Sequence, residues 1–181
     1  MNPMKNHGLL IEAFHELGGS RPGMRLVIAG EGAERDRLGR LAAKGPGVEL
    51  PGPLPRQEVY RLVQRAEVFV LASCRLSGKG EGVPTAALEA LALGTPVVVS
   101  SDASLDPVID DREAYQIFPS GSKTELVQVL RTVLDDASRR NRMSERGVAP
   151  PRSWPGPGSH SASTSGTEWR WDTNAHSHDG R

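Results

Sequence analysis

At 181 residues the chain is long enough for one domain of ordinary size. Its 22 basic and 22 acidic residues cancel, so no overall field marks a partner such as nucleic acid or an anionic membrane. Most of the basic residues are arginines scattered through helical stretches, where solvated faces account for them. One cysteine, Cys74, excludes an internal disulfide and fits a reducing compartment; its apolar setting suits a small buried residue. No apolar stretch approaches the roughly 18 residues that cross a bilayer. MNPMKNHG does not read as a signal peptide, because no long apolar core follows it. A cytoplasmic location is the default, with peripheral membrane contact left open.

In chain order, a first helix is expected from about Lys5, with Leu9, Leu10, Ala13, Phe14 and Leu17 on one face and Gly18-Gly19 as its stop. Met24 to Gly30 reads as a buried parallel strand. A helix from about Ala33 to Lys44 turns Leu38 and Leu41 inward, and Val48 to Gly52 is a brief strand. Arg56 to Arg65 is expected to be helical, with Val59, Leu62 and Val63 on one side, and Val68 to Ser73 is another buried strand. Such alternation with short connections predicts a doubly wound α/β domain with a parallel sheet. Ligands of such sheets bind outside the carboxyl ends of the strands, and Gly30, Gly52, the Ser73-to-Glu81 loop and Ser100 all fall there.

The stretch from Glu81 to Val99, EGVPTAALEALALGTPVVV, carries the chemistry. Pro84 suits a helix start and Gly94 a helix end, so Pro84 to Leu93 reads as a helix and Pro96 to Ser100 as a buried strand. The free amides of Thr85 and Ala86 at the helix start favour an anion such as a phosphate. Glu89 lies one turn beyond Thr85 on the same face, while Glu81 lies in the loop before the helix. Two carboxylates flanking an anion-binding turn suit a ligand with hydroxyls on both sides of a phosphate. Two solvated glutamates on a capped core helix are the plain alternative.

Beyond Ser100, Val108-Ile109 and Tyr115 to Phe118 are short strand candidates. Lys123 to Leu134 is an amphipathic helix, and Arg139 to Arg146 a polar helix expected to lie over the surface. From about Val148 the composition turns to Pro, Gly, Ser and Thr without periodicity, so residues 148–181 are expected to be a disordered tail after a domain of residues 1–147. His160, His176 and His178 there lack the cysteines or spaced carboxylates of a metal site. Trp154, Trp169 and Trp171 give thin support for a partner-binding motif.

Glu81, Gly82, Val83, Pro84, Glu89, Ala90, Ala92, Gly94, Pro96, Val97 and Val98 together resemble the Glu-x7-Glu signature of the family 4 (group 1) retaining glycosyltransferases. Gly30-Glu31-Gly32 is similar to the family's G-x-G turn, although by itself a plain tight turn explains it. Gly52-Pro53-Leu54 is similar to the turn whose backbone lies near the nucleobase. The resemblance covers roughly residues 3–147. It implies the C-terminal, donor-binding half of a GT-B architecture, a Rossmann-like sheet whose first strand and preceding acceptor domain lie outside this sequence.

The resemblance further implies transfer of a sugar, with retention, from a nucleotide diphosphate sugar to a glycan, lipid or small-molecule acceptor held by the N-terminal domain. No metal and no separate cofactor are expected, and no nucleic-acid partner. Lys5 would contact the diphosphate and Glu89 the ribose diol. Glu81 would be the catalytic residue, positioning the donor sugar and easing charge at its reacting carbon. Gly30, Gly32, Leu54, Gly82, Val83, Pro84 and Thr85 would line the donor site. Two departures stand out: a longer loop after Ser73 containing Arg75 and Lys79, and Asp102-Ala103-Ser104-Leu105 where a glycine pair is usual. A non-catalytic nucleotide-sugar-binding module, or an inactive fragment, is the alternative. A dinucleotide-dependent dehydrogenase is weak, because the third glycine of its fingerprint is missing.

Overall fold

The computed structural model describes residues 1–18, 21, 23–76, 84–106, 108–109 and 111–148. Contacts divide the chain into Met1–Pro151 and Arg152–Arg181, and every described residue falls in the first unit. The expected tail, with its three histidines and three tryptophans, lies outside the described residues.

After a single 3-10 turn, Pro3–Lys5, the helix α1 spans His7–Gly18 and the strand β1 Leu26–Ala29. The helix α2 (Arg35–Ala42) leads to β2 (Val48–Gly52) and α3 (Arg56–Arg65) to β3 (Phe69–Leu71). Then come α4 (Thr85–Ala92), β4 (Val97–Ser100), β5 (Tyr115–Phe118), α5 (Lys123–Asp135) and α6 (Ala137–Val148). The alternation expected from periodicity is therefore present. Gly94 sits at φ 74° directly past α4, the left-handed position that only glycine adopts without strain.

Among the described residues, five parallel strands form two sheets. β1 pairs with β2, and β4 lies between β3 and β5 with Val98 opposite Val70 and Gln116. Among the described residues β1 and β3 each have a strand on one edge only. Within each sheet the strands follow chain order, β1 beside β2 and β3, β4 and β5 side by side, all parallel as in α/β folds.

Strand alternation sorts the core. Val98 joins Phe118 under α1 and α5, against Leu10, Ala13, Leu17, Leu126 and Leu130. Val97 and Val99 point to the other face, against Ala87, Ala90 and Leu91 of α4. Burying valines of this kind stabilises by about 1.5–3 kcal/mol each. Helix α1 also spans to the two-stranded sheet, where Ile11 packs with Ile28 and Leu38.

Three expectations need correction. Val108 and Ile109 form no strand; Val108 is in a turn, and the Ile109 amide donates to the Leu105 carbonyl. Their two apolar side chains suffice to pack but not to make a ladder. Leu62 is exposed, whereas Val59 and Val63 are half-buried and Val63 packs against the core beside α4. The polar helix α6 does more than lie over the surface, since Met143 is fully buried against α5 and the Gly147 Cα lies against Leu91.

Candidate functional site

The amino-terminal segment marks the crevice. Asn2 accepts from the Met4 amide (2.9 Å) through its side chain, which winds Pro3–Lys5 into its 3-10 turn. Asn6, in the left-handed conformation, then redirects the chain into α1. The Glu34 amide donates to the Met1 carbonyl (3.3 Å), and the Cys74 amide donates to that of Met4 (2.8 Å). One short segment therefore touches the turn after β1 and the end of β3. Lys5 follows Met4 at the end of that segment.

Close backbone approach explains Gly32. It stands at φ 143°, and a Cβ there would fall 2.1 Å from the Met1 nitrogen. Gly30 donates its amide to the Gly52 carbonyl (2.7 Å), so the turns after β1 and β2 run side by side. Half-buried Leu54 follows, and α3 starts two residues later at Arg56.

Across the crevice, α4 begins after buried Pro84. The Ala87 and Leu88 amides donate back to the Pro84 carbonyl, whereas those of Thr85 and Ala86 have no partner among the described residues. Glu89, one turn on, is half exposed and pairs with Arg56: Nη2 donates to Oε1 over 3.1 Å. The same guanidinium donates from Nε to the Tyr60 hydroxyl (2.6 Å) and lies 5.3 Å from the Tyr60 ring centre. Thr95 donates to the Val63 carbonyl (2.9 Å) and fastens the far end of α3 beside β4. The Leu54 turn and Glu89 are thereby joined.

At the ends of β3 and β4, buried Ser100 donates to the Ser73 carbonyl. Asp102, which stands in place of the usual glycine pair, accepts from the Arg75 amide (2.9 Å) and fixes the start of the following loop. That hydrogen bond, with one from Ser120, holds the Asp102 carboxyl below the usual carboxylate range. Arg75 turns its guanidinium toward Asp102 as well. Cys74 is half-buried, not fully so.

His7 was not anticipated. Burial first, then the amino-terminal ammonium and Lys5, push its pKa down to about 4. Its Nδ1 has no hydrogen-bond partner among the described residues. Of the expected site residues, Gly30 and Gly32 follow β1, Leu54 follows β2, Lys5 ends the turn whose Met4 carbonyl meets the Cys74 amide, and Pro84, Thr85 and Glu89 form the start of α4. Glu81, Gly82, Val83 and Lys79 lie outside the described residues. Sequence reasoning missed Arg56 and Tyr60, whose i,i+4 spacing was the available signal. No group of three or more His, Cys, Asp or Glu among the described residues could hold a metal ion. No helix among them is long and apolar enough to cross a membrane.

With this geometry, comparison with known proteins is decisive for the family. The chain belongs to the glycosyl transferases group 1, whose model matches residues 1–149. It is 31% identical over 130 residues to the amylovoran biosynthesis glycosyltransferase AmsK of Erwinia amylovora, covering 70% of this chain and 32% of that protein. It is 33% identical over 151 residues to a glycogen synthase of Mycobacterium tuberculosis, covering 80% and 35%. The chain thus spans about a third of the length of these curated relatives.

Among solved structures, the C-terminal domain of the group 1 glycosyl transferase LpcC from Francisella tularensis superposes with a TM-score of 0.71 at 21% identity, over 82% of this chain and 78% of that one. Anabaena Alr3699/HepE, solved in complex with UDP and glucose, gives 0.69 at 17% identity, over 82% and 40%. The fold is that of the Rossmann-like C-terminal domain of GT-B glycosyltransferases.

Proposed function

We propose that this chain is the donor-binding half of a retaining family 4 glycosyltransferase, passing a sugar from a nucleotide diphosphate to a polysaccharide, lipid or small glycoside. The observation that carries the reading is the Arg56–Glu89 contact, which ties the Leu54 turn to a glutamate one helical turn from the Thr85 and Ala86 amides, themselves without a partner among the described residues. A diphosphate would sit against the amides and Lys5. Glu89 would accept from the ribose diol through its two oxygens, and Glu81 would hold the donor sugar. In the transfer, the bond from the anomeric carbon to the diphosphate oxygen breaks and one to the acceptor oxygen forms. The acceptor proton goes to the departing phosphate. The helix amides and Lys5 would stabilise that leaving group without a metal.

The acceptor would be held by an N-terminal half, and closure of the two halves supplies the alignment on which the rate depends. The enzyme would work in the cytoplasm or at the membrane surface facing it, where nucleotide sugars are at hand. A non-catalytic nucleotide-sugar-binding module is the second reading. Calorimetric titration with UDP, GDP and ADP tests the site. Glu89→Gln should weaken the tightest of them by about 1–3 kcal/mol, and chelator should leave binding unchanged. Unaltered affinity in Glu89→Gln removes Glu89 from the site. Sugar transfer to simple acceptors by this chain alone is expected to be absent; transfer lost in Glu81→Ala would show that this half carries the reaction unaided.

A further inference from the structure

We infer that Arg56 is a positioning residue for nucleotide recognition, holding Glu89 in the orientation that receives a vicinal diol, with Tyr60 as its support. This rests on the reading of Glu89 as the ribose-binding group. A glutamate on an exposed helix face has three side-chain torsions and samples many orientations. Two adjacent hydroxyls, in contrast, are met only when both carboxylate oxygens face them together.

Arg56 supplies the constraint. Its planar fork donates to one oxygen, Oε1, at 3.1 Å. Oε2 has no hydrogen-bond partner among the described residues, and Oε1 keeps a second lone pair, so both oxygens can still accept a hydroxyl. At 48% exposure the Glu89 side chain is open to a ligand. Arg56 in turn is held from the other side. Its Nε donates to the Tyr60 hydroxyl at 2.6 Å, one helical turn along, and its guanidinium rests by the Tyr60 ring. The Thr95–Val63 hydrogen bond fastens α3 to the strand that follows α4, so the base of Arg56 and the base of Glu89 keep a fixed separation. The positive charge also offsets the repulsion between Glu89 and a nearby diphosphate.

A plain surface ion pair between the same residues would stabilise little and would be indifferent to the ligand. The two cases separate on ligand chemistry. The full chain is titrated with UDP, GDP and ADP, and then with the 2′,3′-dideoxy form of the tightest. Wild type should prefer the ribose form, and Glu89→Gln should abolish that preference. Arg56→Ala should weaken the ribose form about fivefold and leave the dideoxy form unchanged. Arg56→Ala should add nothing in a Glu89→Gln background, and Arg56→Lys should fail to restore affinity, since a point charge on a flexible stem does not reproduce the fork. Tyr60→Phe should give a smaller loss in the same direction, and provides the test if Arg56→Ala fails to fold.

Equal weakening of both ligand forms by Arg56→Ala would overturn the inference, because the arginine would then act on phosphate or base. So would retention of the ribose preference in Arg56→Ala when Glu89→Gln loses it. Absence of any ribose preference in wild type, or of binding by all three nucleotides, overturns the underlying reading of Glu89 and this inference with it.

Discussion

β4 and β1 are both four-residue apolar strands, VVVS and LVIA, yet they stand in different surroundings. Val97, Val98 and Val99 are fully buried, whereas Leu26 and Val27 are half-buried and Ala29 is exposed. β4 has a strand on each side and helices on both faces. β1 has β2 on one edge and, among the described residues, no strand on the other. An apolar run states only that a strand can be buried; its neighbours decide how far. The division extends to the candidate site. Glu89 and the Thr85 and Ala86 amides, without a partner among the described residues, belong to α4, which packs on β3 and β4, while Gly30 and Gly32 follow β1 and His7 lies near Glu34.

The largest expected effect breaks the packed side. Phe118→Ala removes a fully buried ring and should cost about 3–5 kcal/mol in urea unfolding, against about 1–2 kcal/mol for Leu26→Ala on half-buried β1. Equal losses would end the distinction between the sheets.

Acid tests the other side. The folded pKa of His7, about 4, lies below its ordinary 6.5, so the unfolded chain binds a proton that the folded chain refuses. The resulting stability is present above pH 6.5 and falls as pH drops toward 4. The loss reaches at most about 3 kcal/mol, and His7→Gln should flatten it. A wild-type stability that stays level across that window would contradict the buried neutral imidazole. The lowered carboxyls Asp102 and Asp111 act in a separate window, below their ordinary 3.8.

Gly32→Ala sharpens the same contrast. The new methyl meets the Met1 backbone, so the segment with Lys5 must shift, at about 1–3 kcal/mol. Melting point and nucleotide affinity should fall together; an unchanged melting point would mean the segment is not held there. Arg25→Ala should do least. Its bond to Glu49 across the β1–β2 pair is solvent-exposed, and the unfolding midpoint should not move measurably.

What the residues determined by themselves was local. Val48–Gly52 and Arg56–Arg65 lie where periodicity and flanking glycine and proline put them, and the left-handed Gly94 follows α4, which stops at Ala92. Such signals are complete within about a dozen neighbouring residues, so no tertiary contact is needed to read them. The family resemblance is of the same kind, since its motif runs unbroken from Glu81 to Val98. The tertiary structure alone decided that Leu62 faces outward while Met143 is buried, because a helix's burial depends on which elements reach it. It decided that β1 and β4, so alike in composition, differ in exposure. It also decided that Arg56 meets Glu89. The two are 33 positions apart on separate helices, and only the packing of α3 and α4 over the strand ends brings donor and acceptor within hydrogen-bond distance.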